Sequence, residues 1–155
     1  SPDGNTLAVP LKNGTIRLWD TNTWRIEFNI DGYMPIFSPD SNWLMVYAPA
    51  PVLWMYDVHT GERVHEFWSP TRENIGNPNF SPDSKLVFMA VPYGAIYIYN
   101  LVSGELITSL SVLPLEEYIW NSRMPQTRFS PDGSFITISD SGVIRIFAIP
   151  TQDMP

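Results

Sequence analysis

The stretch SPDSNWLMVYAPAPVLWMYD, residues 38–57, decides how the whole chain is read. It opens on the turn tripeptide Ser38-Pro39-Asp40 and closes on an aromatic residue followed by an acid, Tyr56-Asp57. The frame recurs. Ser-Pro-Asp begins at Ser1, Ser38, Ser81 and Ser130, and the matching aromatics are Trp19, Tyr56, Tyr99 and Phe147, at offsets of 18, 18, 18 and 17 residues. From each aromatic to the next motif the distance grows instead, from 19 to 25 to 31 residues. One part of each unit is held at constant length and another is free.

Laid over one another, the units show two strong strands. Six residues after each serine stand Leu7, Leu44, Val87 and Ile136, and eight after stand Val9, Val46, Met89 and Ile138. Apolar columns two apart predict one strand per unit. A second run ends at or just after the aromatic: Thr15 to Asp20, Val52 to Asp57, Ala95 to Asn100 and Val143 to Ala148. One face of it carries Ile16, Leu53, Ile96 and Ile144 with Leu18, Met55, Ile98 and Ile146, and the other carries Arg17, Trp54, Tyr97 and Arg145 beside the aromatics. Neither face is wholly polar, as expected of sheets packed on both sides. Two weaker strands complete each unit. Phe37, Phe80 and Phe129 end a short strand before Ser-Pro-Asp, and Pro35 and Pro78 mark it as an edge, because proline donates no ladder hydrogen bond. The fourth strand follows turns such as Thr60-Gly61-Glu62 and Ser103-Gly104-Glu105, giving Arg25 to Ile30, Arg63 to Trp68 and Leu106 to Leu110. Asn13-Gly14, Tyr93-Gly94 and Ser141-Gly142 supply glycines for the hairpins between the middle strands. A period of roughly 40 residues in a strand-rich chain predicts an all-β fold, a β-propeller of four-stranded antiparallel blades.

These residues resemble a known family. Asn13-Gly14-Thr15-Ile16-Arg17-Leu18-Trp19-Asp20, preceded by Ser1-Pro2-Asp3-Gly4, looks like the second half of a WD repeat, and Asp57-Val58-His59-Thr60-Gly61-Glu62 is similar to the link that follows one. The Gly-His pair common in such repeats is absent, and Tyr56-Asp57, Tyr99-Asn100 and Phe147-Ala148 depart from Trp-Asp. The resemblance implies the fold more safely than the family's hydrogen-bond network.

Counting strands gives about four blades, at residues 1–31, 32–69, 76–111 and 124–150. Two are complete; the first lacks its innermost strand and the last its outermost. Propellers have about four to eight blades, so the expectation is the C-terminal part of a larger ring, with a four-bladed ring short of two strands as the alternative.

Composition narrows the chemistry. A formal charge of -7 and a pI near 4.6 argue against sequence-independent nucleic-acid binding, which needs Lys and Arg on phosphates. No metal-ligand spacing of Asp, Glu and His stands out, no cofactor motif is present, and no apolar run is long enough to cross a bilayer. Zero Cys excludes disulfides and thiolate zinc sites and is compatible with a cytoplasmic protein. His59 and His65 read as surface residues, Glu116-Glu117 as solvated loop charge. Ser-Pro-Asp reads as a turn in which Pro sets φ and Asp binds the backbone, not as a repeated nucleophile.

The free portion of each unit is where recognition is expected. Trp68 precedes the insertion Ser69 to Gly76, which carries Arg72, and the longer Ser111 to Met124 segment carries Tyr118, Trp120 and Arg123. Trp, Tyr and Arg dominate interface energetics, and loops on rigid scaffolds carry recognition. The expected function is a non-catalytic, WD-repeat-like scaffold that binds protein partners. The rival is a propeller gating an attached prolyl-oligopeptidase-like hydrolase, where similar Ser-Pro-Asp-Gly turns occur. Open end blades also predict self-association of the isolated chain.

Overall fold

The computed structural model describes residues 1–49, 51–71, 74–76, 78–91, 95–111, 126–140 and 143–149. These contain strands and turns without a helix. The chain divides into two compact units, Ser1–Arg72 and Glu73–Pro155.

The first unit holds two antiparallel meanders. Strands β1 (Thr6–Pro10), β2 (Thr15–Asp20) and β3 (Arg25–Asp31) form a three-stranded sheet in chain order. Strands β4 (Tyr33–Phe37), β5 (Trp43–Tyr47), β6 (Val52–Asp57) and β7 (Arg63–Trp68) form a four-stranded one, also in chain order. The sheets meet through Ile16, Leu18 and Ile30 on one side and Leu44, Val46, Tyr56 and Val58 on the other, flanked by Ala8, Phe28, Phe37 and Trp54. Period-two alternation puts those residues on one face of each strand. Pro35 lies in β4, at the sheet edge, where a missing N–H is harmless.

The second unit repeats the scheme. Strands β8 (Asn79–Phe80), β9 (Leu86–Ala90), β10 (Ala95–Asn100) and β11 (Leu106–Ser111) make a four-stranded sheet, and β12 (Gln126–Phe129), β13 (Phe135–Asp140) and β14 (Val143–Ala148) a three-stranded one. Leu86, Phe88, Ala90, Ile96 and Ile98 pack against Ile136 and Ile138. Phe88 meets Phe129 edge-on, with ring centroids 4.5 Å apart. Asn79 Nδ2 donates to the Thr127 carbonyl at 2.7 Å, tying the short β8 to β12. Pro78 falls just outside β8 rather than within it.

The order of elements agrees with the sequence reading, and among the described residues the first and last sheets have three strands each. The Asn13-Gly14 hairpin joins β1 and β2, with Gly14 at φ 79°. The glycines of Tyr93-Gly94 and Ser141-Gly142 lie outside the described residues.

All four Ser-Pro-Asp turns are built alike. Each serine hydroxyl accepts from the amide five residues on: Thr6 to Ser1 at 2.9 Å, Trp43 to Ser38 at 3.0 Å, Leu86 to Ser81 at 2.9 Å and Phe135 to Ser130 at 2.9 Å. Each hydroxyl donates to its own aspartate, at 2.5 Å in Ser38 to Asp40 and 2.6 Å in Ser130 to Asp132. The aspartate accepts from the amide two residues on, as in Ser134 to Asp132 at 3.1 Å. The fourth residue is left-handed throughout: Gly4, Ser41, Ser84 and Gly133 have φ of 77°, 67°, 56° and 73°. The hydroxyl and carboxylate are consumed by the turn, so the motif is architectural.

The Ser130 hydroxyl, then the Ser134 amide and hydroxyl, hold the Asp132 carboxyl at a pKa of about 2, and a matching set holds Asp3 at about 2. A carboxyl depressed in the folded state stabilises it above the unfolded value, about 3.9, and that contribution is lost as pH falls toward the folded value. The thermal midpoint is therefore expected to drop between about pH 4 and pH 2. Asp132→Asn should lower the midpoint at neutral pH and flatten part of the acid slope; an unchanged slope would show that the turn carboxylates do not couple to folding.

Candidate partner-binding surface

Of the five residues expected to bind a partner, the structure places Trp68. Arg72, Tyr118, Trp120 and Arg123 lie outside the described residues. Trp68 ends β7 opposite Val52 and is 49% exposed. The next amide, Ser69, donates to the Pro51 carbonyl at 3.4 Å, and Ala48 donates to Val52 at 3.2 Å, which brings the β5–β6 connection beside the end of β7.

The same end of the first unit carries two more exposed residues. Tyr33 and Met34 begin β4 and are 46% and 63% exposed. Gly32 donates to the Gly14 carbonyl at 2.9 Å, which sets the start of β4 against the β1–β2 hairpin. A Cβ at Gly14 would stand 2.7 Å from the Tyr33 hydroxyl, so the ring occupies space that only glycine leaves open. Met34 has φ 49°, beside a register irregularity between Tyr33 and Ile36. The sequence carried no signal for this, since a residue before proline is driven toward extended conformations and not toward the left-handed region. Tyr47, opposite Tyr33, is partly buried, and burial pushes its hydroxyl up to about 12. It is therefore a neutral hydroxyl at physiological pH.

The opposite end of the unit is built from turns. Asp20 Oδ1 accepts from the Asn22 and Thr23 amides at 2.6 and 3.2 Å, and Asp57 Oδ1 from His59 and Thr60 at 2.7 and 3.0 Å. In the second unit Asn100 does the same for Val102 and Ser103, so an amide oxygen serves where the aspartate is missing. The fifth residue of each turn closes it: Trp24 to the Asp20 carbonyl at 2.8 Å, Gly61 to Asp57 at 2.9 Å, Gly104 to Asn100 at 3.0 Å. All three have positive φ, at 54°, 70° and 72°. Two are glycine and one is tryptophan, for which the left-handed region costs about 1–2 kcal/mol.

The His59 ring lies 3.1 Å from Asn42 Oδ1 and His65 sits beside Phe67. Among the described residues no group of three or more His, Cys, Asp or Glu could hold a metal. Arg63 stacks 4.6 Å over the Trp54 ring and pairs with Glu66 at 3.4 Å, a surface contact that holds β6 to β7.

No family model matches the chain. It is 31% identical over 80 residues to the small ribosomal subunit protein RACK1 of Neurospora crassa, a WD-repeat protein. The match covers 49% of this chain and 25% of RACK1, so the alignment spans about a quarter of that protein's length. The likeness agrees with the four antiparallel sheets and with the repeat frame, over part of the chain.

Gly14→Ala tests the support beneath Tyr33. The left-handed φ alone should destabilise the protein by about 1–2 kcal/mol, and displacement of the Tyr33 ring should change its NMR shifts. Unaltered stability in urea would mean the hairpin relaxes freely and does not fix Tyr33.

Proposed function

We propose that this chain is a WD-repeat-like, non-catalytic scaffold that binds a protein partner at the end of the sheets where Trp68, Tyr33 and Met34 lie exposed. The observation that carries the reading is that large side chains stay exposed at one end of both edge strands of an antiparallel sheet. The partial likeness to a WD-repeat protein supports it. Trp and Tyr supply large contact area at little conformational cost and concentrate binding energy. Arg72, Tyr118, Trp120 and Arg123, with Trp68, are the proposed anchors. The proposal extends to blades at 1–31, 32–69, 76–111 and 124–150 within a larger ring, and to a cytoplasmic location.

Self-association of the isolated chain belongs to the same reading. Leu7 and Ile26 are exposed on one face of the β1–β3 sheet, and Ile144 and Ile146, at 70% and 67% exposure, on β14. Apolar faces of this kind promote association. Light scattering should find oligomers, and Ile144→Lys with Ile146→Lys should reduce them; a monodisperse wild-type monomer would overturn this part.

For the binding surface, Trp68→Ala combined with Tyr118→Ala and Trp120→Ala should weaken partner binding by about 2 kcal/mol or more. Trp68→Ala alone should cost under about 1 kcal/mol of stability, since the ring is half exposed in the native state. A collapse in stability with normal binding by the remaining folded protein would mean these aromatics are packing.

A further inference from the structure

We propose that the isolated chain pairs with a second copy of itself head to tail, the β12–β14 sheet of one copy laying its open face on the open face of the β1–β3 sheet of the next. The pairing rests on the self-association proposed above and names the two faces that meet. The sheet contacts inside each unit supply the rule. In the first unit Ile16 and Leu18 of one sheet pack against Leu44, Val46 and Tyr56 of the following one. In the second unit Ile96 and Ile98 pack against Ile136 and Ile138, with Phe147 beside them. The repeat positions are the same both times. An aliphatic pair from the strand that ends on the aromatic meets the two apolar columns and the aromatic of the next sheet.

The last and first sheets each hold one half of that contact. Ile144 and Ile146 of β14 stand at the places of Ile16 and Leu18, and alternation puts them with Phe135 on the face away from Ile136 and Ile138. Leu7, Val9 and Trp19 of the β1–β3 sheet stand at the places of Leu44, Val46 and Tyr56, and Ile26 joins them opposite Trp19. Burial separates the used halves from the open ones. Ile16, Leu18, Leu44 and Val46 are fully buried, whereas Leu7 and Ile26 are 43% and 42% exposed, and Ile144 and Ile146 more so. Two copies bring together both halves of a contact that each copy already forms twice. Pairing of like faces, Ile144 and Ile146 on themselves, has no counterpart among the described residues. Arg17, exposed on the receiving face, is no obstacle, because Arg145 holds the same place in the second unit and a long cation can lay its stem on apolar surface with its charge in water. A contact between two different patches is heterologous, so each copy keeps one face for the next.

That asymmetry gives the test. Leu7→Lys with Ile26→Lys charges the receiving face, and Ile144→Lys with Ile146→Lys the other. Burying an unpaired ammonium is costly, so either pair of substitutions should abolish the oligomers seen by sedimentation velocity. Mixed in equal amounts, the two variants each retain one intact face and should recover a one-to-one dimer and nothing larger. Milder substitutions give an independent readout in a chain without Cys. Leu7→Cys and Ile146→Cys, mixed with a short bismaleimide, should cross-link mainly to each other. Wild-type association by the Leu7/Ile26 variant, or cross-links mainly between like variants, would overturn the head-to-tail pairing and leave self-association standing. A monomeric wild type would overturn both.

Discussion

The constraint on which the rest of this structure depends is that its sheets are apolar on both faces. In the β4–β7 sheet, Leu44, Val46 and Tyr56 lie buried on one face and Met45, Leu53 and Met55 on the other. A sheet of this composition cannot stand against water. Each fully buried Leu, Ile or Met contributes about 1.5–3 kcal/mol relative to exposure, so two-sided burial outweighs the small differences in strand propensity among these residues. The same arithmetic explains the unequal faces of the three-stranded sheets. Ile16 and Leu18 in β2 are fully buried, whereas Ile144 and Ile146 in β14, at equivalent places in the repeat, remain largely in solvent. The apolar pattern on β14 is the face that the proposed self-association would cover.

Two-sided packing leaves the edges and ends of the sheets as the places where polar chemistry works. The turns at one end are saturated with their own hydrogen bonds. Ser, Asp and the amides beyond them satisfy one another, and these turns fix where each following strand begins. A one-residue error there would turn every apolar side chain to the wrong face. The other end is less constrained. The chain passes from strand to strand there by connections of unequal length, and Tyr33, Met34 and Trp68 stay exposed. Length changes at that end do not disturb the register that the turns set at the other.

The strands were legible because their period is two and their flanking turns are marked by Ser-Pro-Asp, Asn-Gly and Thr-Gly. The alternation of Leu44 and Val46 marks in the sequence the face that is buried in the fold. The roles inside the turns were less legible. Asn100 looked like a departure from the Trp-Asp pattern, yet its side-chain oxygen accepts the same two amides that Asp57 does, because the turn requires an acceptor and not a charge. Met34 and Trp24 were missed for a common reason. Residue type forecasts φ through average cost, and both residues adopt a conformation that their type disfavours. Of the expected anchors, only Trp68 could be followed from sequence to position.

Left-handed residues distinguish the turns from one another in a way composition does not. In the Ser-Pro-Asp turns the left-handed place is held by Gly4 and Gly133, or by Ser41 and Ser84. Ser41 gains something for its strain, since its hydroxyl accepts the Asp3 amide from the neighbouring turn. A hydrogen bond of that kind contributes about 0.5–1.5 kcal/mol, comparable to the backbone cost of about 1–2 kcal/mol. Serine there is close to neutral and links two sheets. The turn after β2 has no such offset. Trp24 bears the same backbone cost with most of its ring in water.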